Sequence, residues 1–408
     1  MDLVEIFNDV FKTPKDDDMI DRLNHTYTRL ILILFAVIVC TEQYAGSPIN
    51  CWTPPQFKGI FLINDIDNYA KYTQKICWIQ NTYRIPMNKT IPETNNYQGK
   101  LQLRYYQWAP FIFLTLSLFY FLPCLFWRAN NKKYGLNLKT IVDIGNKYHE
   151  ADDNKKKDEQ IKIITKHFNR YLENKKYTKG NLFCFPSKLQ SLTAVYITSK
   201  VLYLLNAVAQ LFLTDLLLCN GEIKFYGLFL LRNAVFGIQT QSELFPRVAY
   251  CDFYVREMGQ EINGHRYTVQ CVLSINLYLE AIFAFYWFWL CLLIFLNLKN
   301  TIMWCWHILS TWNTKAYIHK YIRPELRSNL DLLIENPKYM VTHFIDNYLD
   351  ADGIFVMRLI SQNISHVVAT DLISALYENY KIIEVGKRIN NVESISDREL
   401  SNLDFLSN

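Results

Sequence analysis

The chain has 408 residues, of which half are apolar, and carries 43 Lys and Arg against 38 Asp and Glu. The net charge of +5 is small, and the Lys155–Lys157 run is interleaved with acidic residues, which argues against nucleic-acid binding. The apolar residues are concentrated in long segments, and this argues against a soluble globular protein.

Four segments are long and apolar enough to cross a bilayer. A hydrocarbon core ~30 Å thick requires about 20 mostly apolar helical residues, and backbone in lipid must satisfy its own hydrogen bonds. We therefore predict four transmembrane helices rather than four helices buried in a soluble core. These helices span residues 27–45, 106–128, 191–219 and 275–298.

Sidedness follows from the basic residues in the connecting segments. The loop Arg128–Lys188 holds fifteen Lys and Arg, whereas Gly46–Arg104 holds seven and Asn220–Ser274 holds five. Basic loops stay in the cytoplasm. We thus expect a cytoplasmic middle loop (129–190), a cytoplasmic N-terminal segment (1–26) and a cytoplasmic C-terminal helical domain (299–408), with loop 1 (46–105) and loop 2 (220–274) outside.

The N-terminal segment has the period of an amphipathic helix. Its apolar side chains fall on one face, and three carboxylates, Asp2, Glu5 and Asp9, fall on the other. We predict a helix that lines a pore with these carboxylates. The alternative is a helix lying on the inner membrane surface, but anionic lipid would repel an acidic face.

Other polar residues lie within or near the spans. Glu42, near the outer end of the first span, is either a pore-mouth charge or an interfacial carboxylate paired with a loop cation. Asn206 and Gln210 lie one helical turn apart and are expected to join helices through hydrogen bonds. Lys200 is expected to extend its ammonium toward the cytoplasm.

The ten cysteines fall into groups according to the compartment that each is expected to face. The four in the outer loops, Cys51, Cys77, Cys251 and Cys271, should form disulfides, although sequence alone leaves three connectivities open. A metal site is disfavoured because no Cys-x-x-Cys spacing occurs and His265 is the only histidine in these loops. Five others are expected to be free thiols, and Cys219 is ambiguous. Those five are Cys40, Cys124, Cys184, Cys291 and Cys305.

Asn88 begins the one glycosylation sequon that this topology places outside. A glycan there would obstruct contact between two outer surfaces. In the C-terminal domain, apolar residues at helical spacing are expected to pack on a middle-loop helix near Glu159–Leu172. We find no phosphate-binding loop, metal motif or catalytic constellation, so we expect neither an enzyme nor a cofactor.

A motif at the start of the second span connects these features. Tyr105, Tyr106, Gln107, Trp108 and Pro110 resemble the Tyr-Tyr-Gln-Trp-x-Pro signature of the innexins, the invertebrate gap-junction proteins. Further matches surround all four loop cysteines and the tail run that begins at Asp352, so the resemblance covers roughly residues 15 to 375.

The resemblance implies an all-α membrane protein with four spans per subunit, disulfide-stapled outer loops and a helical cytoplasmic domain. It implies a ring of eight subunits around a wide pore, in the plasma membrane at cell–cell junctions, docked to the ring of an adjacent cell. It also implies disulfides joining Cys51 to Cys271 and Cys77 to Cys251. The expected function is an intercellular channel for ions and small molecules. The alternatives are an unpaired hemichannel and a non-conducting four-span adhesion protein.

Overall fold

The computed structural model is mostly helical and divides into two compact units. The span unit comprises Tyr27–Leu122 and Leu204–Leu296, and the helical unit comprises the described parts of Met1–Thr26, Pro123–Tyr203 and Asn297–Asn408. The structure describes residues 17–53, 63–80, 82–85, 101–103, 105–131, 138–150, 153–178, 192–218, 225–236, 244–255, 265–322, 337–384 and 386.

Among the described residues, four helices are long and apolar enough to span a membrane, as predicted. They are α1 (Met19–Tyr44), α3 (Tyr106–Asn131), α6 (Leu192–Leu218) and α8 (Ile275–Leu309). Helix α1 begins eight residues before the predicted span because the Asp18 side chain caps it, accepting from the backbone N–H groups of Ile20 and Asp21 at 2.9 Å. Within α1, Leu23–Thr28 is a π-helical stretch.

The spans pack within the span unit through aromatic rings and a few polar side chains. Gln210 donates to the Leu116 carbonyl at 3.2 Å and to Asn206 Oδ1 at 3.3 Å, and it accepts from the Tyr286 hydroxyl. The Phe35 ring meets the Phe113 and Phe285 rings edge-on. Gln210 therefore ties α6 to α3 and α8, in the helix-joining role expected of it.

Described residues of loops 1 and 2 form a five-stranded antiparallel sheet, the loop sheet, which was not predicted from the sequence. Strands β4 (Val248–Val255) and β5 (His265–Val272) form a hairpin. Along β4, Ala249, Cys251 and Phe253 are buried and alternate with partly exposed residues, the period of a strand with one covered face. The other strands are β1 (Asn50–Cys51), β2 (Thr82–Arg84) and β3 (Leu101–Leu103).

The strand order is β1-β5-β4-β2-β3. Loop 1 therefore holds the loop 2 hairpin from both sides, with β1 on one edge and β2 followed by β3 on the other. Helix α2 (Ile63–Ile79) also belongs to loop 1 and contacts β1 and β4. This topology makes the two loops a single folded element.

The helical unit has its own hydrophobic core. Phe168, Tyr196, Phe344 and Phe355 are almost fully buried in it, with Trp304 close by. The core joins the middle loop to the tail, in agreement with the expected packing on Glu159–Leu172. The contributing helices outside the spans are α4 (Leu138–Glu150), α5 (Asn154–Thr178), α9 (Thr311–Tyr321), α10 (Pro337–His343), which continues as a π-helical turn Phe344–Leu349, α11 (Asp350–Asn363) and α12 (366–384).

Gly353 and Asp352 fix the position of α11. A Cβ on Gly353 would lie 3.3 Å from Leu349 and 3.5 Å from Phe168, so glycine allows close packing there. The buried Asp352 carboxylate accepts from the backbone N–H of Thr193 at 3.1 Å, from its hydroxyl at 2.5 Å and from Tyr171 at 3.2 Å. The tail residues singled out from the sequence thus form part of the core.

Candidate functional site

Two disulfides join the two loops across the loop sheet. Cys51 bonds to Cys271 with a Cα–Cα distance of 3.9 Å, and Cys77 bonds to Cys251 with a Cα–Cα distance of 5.7 Å. Cys51 and Cys271 are direct register partners on β1 and β5, whereas Cys77 links α2 to β4. These are the pairs that the resemblance implied. Each closes a chain segment of well over a hundred residues, which gives a cross-link its largest effect on the unfolded state.

The two disulfides are neighbours. The sulfur atoms of Cys51, Cys77 and Cys271 lie within 4.8 Å of one another. Three cysteines at this distance would suit a metal ion if they were thiols. Here each sulfur is in a disulfide and offers no thiolate, so this cluster serves as a cross-link and not as a metal site.

A polar network crosses the sheet next to the disulfides. Asp252 on β4 accepts from the Tyr83 hydroxyl at 2.9 Å, from the Thr268 hydroxyl at 2.7 Å and from Arg266 at 2.8 Å. Burial and the neighbouring Asp252 carboxylate raise the pKa of Tyr83, so its hydroxyl stays protonated and continues to donate. Strands from both loops are therefore held in register by a charge-assisted network.

The signature residues brace this sheet at the start of α3. The Tyr105 hydroxyl donates to the Leu244 carbonyl of loop 2 at 2.7 Å. Tyr106 is fully buried and packs on Trp78 with ring centroids 5.0 Å apart. Gln107 donates to the Trp78 carbonyl, next to Cys77. The motif thus positions the second span under the disulfide-bearing helix α2.

The last two signature residues contribute differently. Pro110 is buried at the second position of the helix Ala109–Asn131, where its missing N–H costs little. Trp108 is 63% exposed, so its role is not in the core of this subunit.

A second site, the Asp18 cluster, lies in the helical unit at the start of α1. The Asp18 carboxylate accepts from Lys200 of α6 at 2.6 Å and from Asn300 and Trp304 of α8 at 2.8 and 2.9 Å. Lys200 also contacts Asp21 at 2.6 Å and is only 2% exposed. One carboxylate therefore connects three span helices.

The remaining contacts of α1 in this unit are also polar. Asn24 and Asn297 exchange two amide hydrogen bonds of 2.7 and 3.0 Å, and His25 contacts Asp17 at 2.5 Å. These side chains lie in or beside the π-helical stretch, a local helix distortion that is frequent at functional sites. The start of α1 is therefore fixed by directional bonds rather than by apolar packing alone.

The charge state of Asp18 follows from its partners. Burial alone would raise its pKa, but the Lys200 ammonium and the hydrogen bonds to the carboxylate lower the pKa from 3.8 to about 2. Because this pKa lies below that of an unperturbed aspartate, the charged carboxylate stabilises the fold above pH 3.8, and that contribution is lost as the pH falls through about 2.

This cluster was not predicted from the sequence. The pattern indicates only that the Lys200 ammonium extends toward the cytoplasm, whereas the structure shows it buried between Asp18 and Asp21. The available signal was a lysine inside an apolar span together with carboxylates just before another span, since buried charges at membrane depth are usually paired.

The structure places the predicted pore residues only in part. Asp2, Glu5, Asp9 and Asn88 lie outside the described residues. Glu42 lies two residues before the end of α1 and is half-buried, and its Oε2 would be 2.7 Å from a Cβ at Gly46. The Glu42 carboxylate is thus folded over the turn that leads to β1.

Comparisons with known proteins agree on one family. The sequence model described as Innexin matches residues 17–380. The chain is 32% identical over 385 residues to Innexin unc-9 of Caenorhabditis elegans, covering 91% of this chain and 94% of that protein. It is 31% identical over 391 residues to Innexin-19 of Caenorhabditis briggsae, covering 90% and 87% of the two chains.

Removing the disulfide between α2 and β4 should destabilise the loop sheet. For Cys77→Ala with Cys251→Ala, we expect the free energy of opening the sheet to fall by ~2–5 kcal/mol, because a long-range cross-link is lost. Amide hydrogen exchange of β4 and β5 peptides measures this opening. Cys291→Ala, at a free cysteine of α8, is the control and should leave their exchange unchanged. Equal protection in both variants would contradict the role assigned to the bond.

Breaking the Asp18 cluster should cost more than breaking a surface ion pair. Lys200→Met leaves two buried carboxylates without their shared cation and should destabilise the helical unit by ~3–5 kcal/mol. Adding Asp18→Asn to Lys200→Met should restore part of the lost stability, because one of the two unpaired carboxylates is then replaced by a neutral amide. The matched control is Lys315→Met, which removes a largely exposed pair with Asp346 and should cost at most ~1 kcal/mol. Thermal unfolding of the purified variants tests this order, and equal losses for both lysines would refute it.

Proposed function

The chain belongs to the innexin family, and from this premise we propose that it is a subunit of a gap-junction channel that passes ions and small molecules between adjacent cells. One observation carries the proposal beyond family membership. Both loops on one side of the four spans fold into a single sheet held by two disulfides and the Asp252 network. A surface that docks with a copy on another cell must keep its shape before docking, because ordering flexible loops on contact would oppose binding.

The proposed assembly is a ring of eight subunits docked to a ring in the adjacent plasma membrane. A pore between subunits conducts without chemistry, and its selectivity comes from its diameter and from rings of charge. Neither site described above needs to act as a catalyst in such a protein. The partners are then other innexin subunits, the docked ring and membrane lipids.

The orientation is supported by composition. The middle loop carries most of the loop Lys and Arg, and both disulfides join loops 1 and 2. Basic loops favour the cytoplasm, and disulfides persist in oxidising surroundings. We therefore propose that the loop sheet is extracellular and that both termini are cytoplasmic.

The pore charges in this proposal are Asp2, Glu5 and Asp9, with Glu42 toward the other end of α1. The Asp18 cluster supports their placement, because it fixes residue 18 to α6 and α8 and so fixes the point from which the first seventeen residues extend. Symmetry would convert each carboxylate into a ring that favours cations.

Neutralising Asp2, Glu5 and Asp9 as Asn, Gln and Asn should reduce cation preference. Under a salt gradient, the reversal potential of the triple variant should move toward zero, because the rings of negative charge are lost. The control removes the same charge elsewhere, with Asp153, Asp158 and Glu159 changed to Asn, Asn and Gln on the exposed start of α5. A triple variant that reverses at the same potential as the control would rule out these pore rings.

Paired cells distinguish the proposed function from its alternatives. We expect junctional conductance between two cells that both express the chain, measured by dual whole-cell recording. Current in single cells without coupling in pairs would favour the unpaired hemichannel, and a glycan found at Asn88 by mass spectrometry would supply its cause. Surface expression with neither current would favour the non-conducting adhesion protein. The recording is then repeated with a second innexin present. This tests whether the subunit conducts only in mixed channels.

A further inference from the structure

One helix of loop 2 lies beside the spans and not in the loop sheet. Helix α7 (Tyr226–Phe236) is capped by Asp215 of span helix α6, whose buried carboxylate accepts from the backbone N–H groups of Phe225 and Tyr226 at 3.0 and 2.8 Å. Phe225 has a φ of 46°, in the left-handed region. This strained turn begins α7 beside Asp215 of α6.

The start of α7 also contacts α8 well inside that helix. A Cβ on Gly227 would lie 1.9 Å from the Trp287 ring, so only glycine permits this approach. Trp287 is twelve residues after Ile275, about 18 Å along α8 at the rise of an α-helix. Asp215 is three residues before the end of α6 at Leu218, about 4.5 Å. Helix α7 therefore begins at a height that the spans occupy.

The face of α7 turned away from the spans is apolar with a single charge. Tyr226 and Gly227 are buried, whereas Leu228 and Val235 are 55% and 76% exposed. Arg232 is exposed at the centre of this face, and the helix has no acidic residue. The exposed side chains of the face are Leu228, Phe229, Leu231, Arg232, Val235 and Phe236.

This face continues onto the exposed end of α6. The Phe225 and Phe212 rings meet edge-on with centroids 6.4 Å apart, and Phe212 is itself exposed on α6. The adjoining exposed side chains of α6 are Leu213, Leu216 and Leu217. The apolar surface of α7 is therefore continuous with the exposed apolar surface of a membrane span.

We propose that α7 is an interfacial helix whose exposed face binds phospholipid at the outer membrane surface. Its apolar side chains enter the boundary between headgroups and acyl chains, and Arg232 pairs with lipid phosphate. An amphipathic helix that lies in the interface buries its apolar face ~5–10 Å below the headgroups, and an arginine reaches the phosphates along its own apolar stem. Part of loop 2 would then anchor the subunit laterally while the loop sheet faces the neighbouring cell.

Spin labels on α7 in reconstituted full-length channels test the proposal. Val235→Cys and Leu228→Cys each carry a nitroxide, and oxygen and a water-soluble nickel chelate compete to relax it in phospholipid nanodiscs. Leu213→Cys on α6 supplies the lipid reference and Tyr254→Cys on β4 the water reference, both at exposed positions. The unsubstituted channel, labelled in parallel, gives the background from its free cysteines.

We expect both α7 labels to favour oxygen, as at position 213, and to lie ~5–10 Å below the phosphates. Arg232→Glu should lift the label at position 235 toward water, whereas Arg232→Lys should leave it in place. A label as accessible to nickel as at position 254 would overturn the proposal. A label that is shielded from both relaxants and broadened by labels nearby would also overturn the proposal, because α7 would then face a second subunit. Paired-cell conductance of Val235→Cys shows whether the labelled variant still forms a channel. It therefore distinguishes a failure of the lipid contact from a failure of the channel function.

Discussion

The two neighbouring disulfides are the constraint on which the outer part of this protein depends. Strands β1, β2 and β3 have only two or three residues each, too few to hold a sheet by backbone pairing alone. They also come from a loop separated from the hairpin by two spans. The Cys51–Cys271 bond fixes the β1 edge covalently, and the Cys77–Cys251 bond ties helix α2 of loop 1 to β4. The Asp252 network and the signature residues then complete the register. The loop sheet therefore depends on these two bonds.

The Asp18 cluster joins span helices through a buried ion pair and hydrogen bonds rather than through covalent bonds. A buried lysine shared by two carboxylates is weak evidence for stability, since charges lose hydration on burial. Its partners are, however, directional and come from α1, α6 and α8. We interpret the cluster as a device that sets the register of these three helices, a role in which buried polar groups are well attested. The position of α1 therefore limits the positions that the carboxylates of Asp2, Glu5 and Asp9 can reach.

Local features were predicted correctly from the sequence, but features that depend on contacts between residues far apart in the chain were not. Four spans follow from apolar length, and the interhelical role of Gln210 follows from a polar residue on an apolar helix. The disulfide pairing came only through the resemblance, because spacing leaves three connectivities. The three loop 1 strands were missed because two or three residues are too few to show a period. The ion-pair partners of Lys200 were not predicted because Asp18 and Asp21 lie 182 and 179 residues away in the chain. Helix α7 of loop 2 was not predicted, and its eleven residues are too few to cross a bilayer.

We infer that the disulfide-braced loop sheet is the surface that one channel presents to another. This role can be tested by pairing a cell that expresses the wild-type chain with a cell that expresses the variant lacking Cys77 and Cys251, after surface labelling has shown equal amounts of both. We predict that junctional conductance is lost in these mixed pairs while pairs of wild-type cells remain coupled. Undiminished conductance in the mixed pairs would show that docking does not need the Cys77–Cys251 bond.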